Sequence, residues 1–262
     1  MSLTPIVKWT KLLNLKASEF FNEGLGVTTA SDGSVYVSAS LYGWYLDGEV
    51  APSDNQTFIV KFNSEGDKQW TKYSSENVPR DITTGSNDSI YITGRTLGNL
   101  DSQTNSGGYD VFISKFDSDG DKQWSKLLGS NSYESSFRIG TGSDDSIYIT
   151  GQTQGDLDSQ TNSGSYDVFI SKFNSDGEKQ WTKLLGSNSN DTPYGITIGN
   201  DDSIYIAGST LGNFDGQTLD NLDGLTNRSD RSDYDRFISK FSSDGEKQWT
   251  KLLGRNLTYI RL

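Results

Sequence analysis

The side chains best placed to do chemistry are carboxylates that recur at matched positions. Asp101, Asp158 and Asp215 each stand two residues before a glutamine, at Gln103, Gln160 and Gln217. They belong to a repeated signature, G-N-L-D-S-Q-T-N-S-G-G-Y-D at 98–110 and G-D-L-D-S-Q-T-N-S-G-S-Y-D at 155–167; a third version opens G-N-F-D-G-Q-T at 212. Such groups can exchange hydrogen bonds with sugar hydroxyls, and Tyr109, Tyr166 and Tyr234 offer stacking faces. Trp44 and Tyr45, beside Tyr42, form an aromatic group outside the repeat, suited to stacking on a sugar or anchoring a partner. The same residue types also have a structural reading: Asx-turns, loop backbone satisfied by Thr and Gln, and tyrosine packed between elements.

A second acidic pattern, D-S-D-G-D, places Asp117, Asp119 and Asp121 close together. Hard cations favour clustered carboxylates, so these residues are a candidate calcium site. The equivalent segments N-S-E-G-D, N-S-D-G-E and S-S-D-G-E keep the glycine but lose the first ligand, and none continues to the distant Glu of an EF-hand loop. A hairpin turn without a resident cofactor is the expectation.

What is missing narrows the chemistry further. The 262 residues include no histidine and no cysteine. That excludes Ser-His-Asp and Cys-His nucleophile systems, imidazole ligands, zinc ribbons and disulfides. A hydrolase built on paired carboxylates is the alternative, but it needs one acid and one base in different surroundings. Here the loop carboxylates recur in near-identical settings, so no catalytic residue is assigned and no enzyme is expected. A net charge of −12 opposes nucleic acid or an anionic membrane as the main partner. No run approaches the ~18 apolar residues of a membrane span, and the opening segment lacks the apolar core of a signal peptide.

The elements that must position these groups are repeats. Trp9, Trp70, Trp124, Trp181 and Trp249 each begin W-[T/S]-K, and Phe62, Phe116, Phe173 and Phe241 stand 8 residues before the last four. Tyr36, Tyr91, Tyr148 and Tyr205, each in S-[V/I]-Y-[V/I], are spaced 55, 57 and 57 apart. One copy reads as four strands: A (137–142), B (146–151), C (167–173) and D (179–186). Strands B and C alternate β-branched and aromatic residues, and the A–B and C–D turns carry the Asn, Asp and Gly of tight hairpins. Four short antiparallel strands at this period fit the blades of an all-β propeller.

The run D-V-F-I-S-K-F-[D/N]-S-D-G-[D/E]-K-Q-W-[T/S]-K-L-L-G, followed by a D-[D/G]-S-[I/V]-Y-[I/V] hairpin, resembles the bacterial beta-propeller repeat family SBBP. It is similar more distantly to quinoprotein-type propeller repeats. The resemblance covers roughly residues 6 to 254 and implies a propeller fold, with extracellular or cell-surface location. It carries no catalytic residues, and a cytoplasmic location stays open.

The expected blades are 25–73, 81–128, 137–186 and 194–254, with an orphan outer strand at 6–14 and a tail at 255–262. Seventeen strands thus compete for sixteen places in a four-bladed ring. Three arrangements follow: a closed ring with one displaced strand, an open arc, or part of a larger ring completed by another chain. An open arc would favour self-association. The C–D interval is constant, whereas the D–A and B–C intervals vary and 219–234 is an insertion. Variable loops on a rigid scaffold are where binding usually lives. The functional expectation is therefore a non-catalytic binding or scaffolding module that presents one loop face to a glycan or protein, with a structural spacer of a larger surface protein as the alternative.

Overall fold

The computed structural model describes residues 9–11, 15–16, 26–41, 45–46, 49–52, 56–74, 78–216 and 234–253. Four four-stranded antiparallel sheets account for most of them, each with its strands in the order A-B-C-D. Blade 1 comprises Gly26–Thr29, Val35–Leu41, Gln56–Phe62 and Lys68–Ser74. Blade 2 comprises Val78–Thr84, Ile90–Thr96, Asp110–Phe116 and Lys122–Leu128. Blade 3 comprises Glu134–Thr141, Ile147–Thr153, Asp167–Phe173 and Lys179–Leu185. Blade 4 comprises Asp191–Ile198, Ile204–Thr210, Asp235–Phe241 and Lys247–Leu253. In blade 3, strand A opens at Glu134 rather than at Phe137, because a β-bulge between Ser136 and Arg138 sets Phe137 aside from the pairing.

The central strands B and C are covered on both faces, which is why they read as nearly unbroken apolar runs. Ile90, Tyr91, Ile92, Val111, Phe112 and Ile113 are all fully buried. In blades 2, 3 and 4 strand B enters this layer with a glycine, where blade 1, whose strand A is shorter, has Ala39. A Cβ at Gly94, Gly151 or Gly208 would lie 2.0, 2.1 or 2.3 Å from a strand A carbonyl, with the ring of Phe112, Phe169 or Phe237 close on the other side.

Neighbouring blades are joined on the turn face by the same contacts, repeated at each of three joints. In the A–B turns, Ser31, Ser86 and Ser143 donate backbone N–H and hydroxyl to both carboxylate oxygens of Asp88, Asp145 and Asp202 on the following blade. Those aspartates hold left-handed backbone, with φ of 58°, 59° and 54°. That conformation costs a non-glycine residue about 1 kcal/mol, and the bonds across the joint offset it. Lys61, Lys115 and Lys172 donate to the C–D turn carbonyls of Ser118, Ser175 and Ser243, again one blade on. Trp70, Trp124 and Trp181 lie against Gly120, Gly177 and Gly245 of those turns. Each tryptophan also meets its own blade's Tyr36, Tyr91 or Tyr148, with centroids 5.9–6.2 Å apart.

The expected orphan strand is described at residues 9–11 only. Trp9 lies on blade 1 where a preceding blade's tryptophan would lie: it covers Gly66, and its Nε1 donates to the Ser64 carbonyl at 3.1 Å. Leu15–Lys16 then pairs with Tyr45–Leu46, which pairs in turn with Glu49–Val50, making a small sheet on the B–C connection of blade 1. Strands A of blades 1 and 2, 2 and 3, and 3 and 4 lie side by side, and no strand of blade 4 makes comparable contact with blade 1 among the described residues. The tail 255–262 and residues 219–233 of the insertion lie outside the described residues.

Candidate binding site at the loop face

The loop signature builds a compact knot within each blade. Leu100 and Gln103 exchange both backbone hydrogen bonds, at 3.1 and 2.9 Å, around Asp101 and Ser102. Both central residues have positive φ, 46° and 64°, as a type I′ turn requires. Leu100, and Leu157 and Phe214 in the next blades, plug the sheet below and are buried. Asn105 then closes the loop, accepting from Gly107 N and donating to the carbonyls of Thr96 and Gly108.

This construction places each expected site residue. Asp101 pairs with Lys122 at 2.8 Å, Asp158 pairs with Lys179, and Asp215 pairs with Lys247 and accepts from the Thr250 hydroxyl. Burial opposes ionisation of Asp101, yet the bonds from Lys122 and Ser125 hold its carboxyl below the usual value. Gln103 donates to the Ser125 carbonyl at 2.7 Å and accepts from Leu127 N, so both ends of its amide serve strand D. Gln160 repeats this with Thr182 and Leu184. Trp44, Gln217 and the side chain of Tyr45 lie outside the described residues.

In the D-S-D-G-D segment, Asp117 accepts from the N–H groups of Asp119 and Asp121 and from Gln123, while Asp121 pairs with Lys72 of blade 1 at 2.8 Å. Gly120 takes φ +79°, completing the hairpin. No grouping of three metal-ligating side chains occurs among the described residues.

Buried acids stand beneath the loops. Glu134 accepts from Ser130 N and Oγ and from Thr153 Oγ1, at 2.6–2.7 Å, and so ties the D–A connection to strand B. Asp191 does the same one blade on through Ser187, and desolvation pushes its carboxyl up to about 6. Asp110 and Asp167 are raised by burial too; each accepts one N–H, from Ser106 or Ser163, and presses against Gly129 or Gly186.

Above these acids the ends of the loops bring aromatic residues together. Tyr109 and Tyr166 close the B–C loops of blades 2 and 3, and their carbonyls receive the N–H groups of Glu134 and Asp191 that start the following blades. Tyr133, from the D–A connection, stands between them with ring centroids 5.4 Å from Tyr109 and 6.1 Å from Tyr166, both edge-on. Arg95 lies over Tyr109 at 4.7 Å and Tyr133 at 5.8 Å and donates to the Tyr133 hydroxyl. The three tyrosines are half-buried. In blade 4, Arg236 lies over Tyr194 at 5.9 Å, and Tyr194 is 50% exposed. The sequence reading named Tyr109 and Tyr166 but not Tyr133 or Arg95. Neither of these repeats: Asn190 and Gln152 stand at the matching places one blade on, and that break in the pattern was the available signal.

Residues 180–215 match the SBBP beta-propeller repeat family. The chain is also similar to the regulatory protein FlaEY of Caulobacter vibrioides, with 24% identity over 183 residues; the match covers 64% of this chain and 18% of that protein's length. Among solved structures, a luciferin-regenerating enzyme aligns with 88% of this chain and 61% of its own at 10% identity and a TM-score of 0.42. A DUF4221 family member from Bacteroides vulgatus aligns with 92% of this chain and 87% of its own at 9% identity and a TM-score of 0.39.

Proposed function

We propose that the chain is a non-catalytic binding and scaffolding module that presents its loop face to a glycan. The observation that carries this reading is the row Tyr109–Tyr133–Tyr166 with Arg95 laid across it. Half-buried phenol rings give apolar faces for pyranose stacking and hydroxyls at their rims, and the guanidinium adds fixed donors for sugar oxygens or a carboxylate. The loop aspartates are left out of this reading, since their charges are already spent on lysines of strand D. The buried acids are shut away from solvent by loop backbone, which favours binding over hydrolysis. Presentation outside the cell or at its surface fits a glycan ligand.

A glycan array run with the wild type, Tyr133→Ala and Arg95→Ala tests the reading. Binding to a defined sugar class should fall about tenfold in each variant, in line with the loss of one stacked ring or one cation–π contact. Equal binding by all three proteins would sink it. The spacer reading has its own support in the closed hydrogen bonding of the loop signature, and it predicts silence on the array and in pull-downs alike.

A further inference from the structure

Three joints show what the two flanks of a blade require, and among the described residues one flank of blade 4 and one of blade 1 lack it. On blade 4, Tyr205 is half-buried where Tyr36, Tyr91 and Tyr148 are fully buried. Leu253 is 56% exposed where Leu128 and Leu185 are buried, and Ala207 and Arg236 face solvent where Thr150 and Val168 do not. Trp249 keeps its tyrosine, 6.2 Å away, and Lys251 folds over it at 5.6 Å. On blade 1, Val27 is 64% exposed where Ile82 and Ile139 are buried.

We infer that the flank of blade 4 left uncovered by the described residues is a docking surface for blade 1 of a second copy of this chain. Its centre would be Trp249 on the turn Asn63-Ser64-Glu65-Gly66-Asp67, the contact that Trp70, Trp124 and Trp181 make at the internal joints. Charge agrees: Lys251 on the blade 4 side would meet Asp67, as Lys72 meets Asp121 between blades 1 and 2, and Lys240 would donate to the Ser64 carbonyl, as Lys61, Lys115 and Lys172 do at the internal joints. The contact is heterologous, head to tail, so it closes into a ring or extends according to the rotation between copies.

Two features make this joint weaker than the internal ones. Trp9 already occupies the turn of blade 1, so the incoming Trp249 must displace it. The serine–aspartate pair is also absent: Asn200 stands where the donor serine would be, and Gly33, at φ +81°, where the acceptor aspartate would be. Association is therefore reversible, and both obstacles can be removed by substitution.

Sedimentation velocity over a concentration series, with carbodiimide cross-linking read by mass spectrometry, tests the inference on the full 262-residue chain. The wild type should show a concentration-dependent larger species with Lys251–Asp67 links between chains. The double variant Asn200→Ser with Gly33→Asp should associate about tenfold more tightly, through two added hydrogen bonds to a carboxylate. Each single variant should not. Trp9→Ala should also tighten association. Leu253→Arg, at a side chain already exposed in the single chain, should abolish it while leaving thermal unfolding unchanged. A strict monomer in both the wild type and the double variant would overturn the inference, as would Lys251–Asp67 links confined within one chain.

Discussion

The turn face and the loop face of this molecule use similar residues to opposite ends. On the turn face, aspartates, serines and lysines bond across the joint to the next blade. On the loop face, Asp101, Gln103 and Asn105 bond within their own blade, and the tyrosine row with Arg95 reaches across beside a few hydrogen bonds such as Ser136 Oγ to the Gly94 carbonyl. The first arrangement couples blades; the second stiffens each blade separately and leaves its upper surface free to vary. Length variation is harmless where side chains answer to their own sheet, whereas a turn that must meet a neighbour holds a fixed length. The constant C–D interval and the variable B–C interval are two sides of that rule.

Substitutions ranked by size sharpen the contrast. Gly151→Val, inside a blade, should cost more than about 3 kcal/mol, because a Cβ there meets the Ser135 carbonyl and the Phe169 ring from opposite sides. Its outcome in urea denaturation should be loss of a cooperative transition. Trp181→Ala, at a joint, should cost about 3 kcal/mol and lower the slope of that transition as blades 3 and 4 uncouple.

Asp191 predicts a pH effect. Its folded value, about 6, lies above its ordinary value of 3.8, so the folded chain binds the extra proton between those limits. The cost of burying the charge is fully present above pH 7, and stability should rise by roughly 2 kcal/mol as pH falls from 7 towards 4. Asp110 and Asp167 act in the same direction. Thermal melts of Asp191→Asn should show a shallower pH dependence than the wild type; an unchanged slope would contradict the assignment.

Smaller effects separate the two faces most directly. Asp145→Gly keeps the left-handed turn and removes only the bonds to Ser86, so a loss of about 1 kcal/mol is expected. Asp101→Asn also tolerates positive φ, and removal of its exposed pair with Lys122 should cost less than about 0.5 kcal/mol. If the loop variant proved the more damaging in matched denaturation curves, the division between coupling turns and self-contained loops would fail.

Most of the architecture was legible because its causes are local and repeated. The Trp, Phe and Tyr slots recur since every interior blade meets the same neighbours, and the glycine after Ser-Asp recurs since its φ is fixed by the hairpin. The strand A boundary was not legible: Glu134, Ser135 and Ser136 carry no apolar pattern, being held by backbone pairing across a bulge. The site was read less well for a chemical reason. Asp and Gln satisfy loop backbone with the same atoms they would offer a ligand, so Asp101 and Gln103 gave no sign of being committed to Lys122 and strand D. Tyr133 and Arg95 carry the opposite difficulty, being single residues in variable places whose partnership exists only once blades 2 and 3 are side by side.

The serine–aspartate pair of the A–B turns has a direction: the donor is always on the earlier blade and the acceptor on the later one. A gene segment encoding one whole period therefore carries a donor and an acceptor together, each facing its own side. Copying or deleting such a segment between Ser31 and Asp202 leaves every remaining serine opposite an aspartate. The register of the array is thus preserved through changes in repeat number, and only the turns that carry Gly33 and Asn200 depart from the pairing.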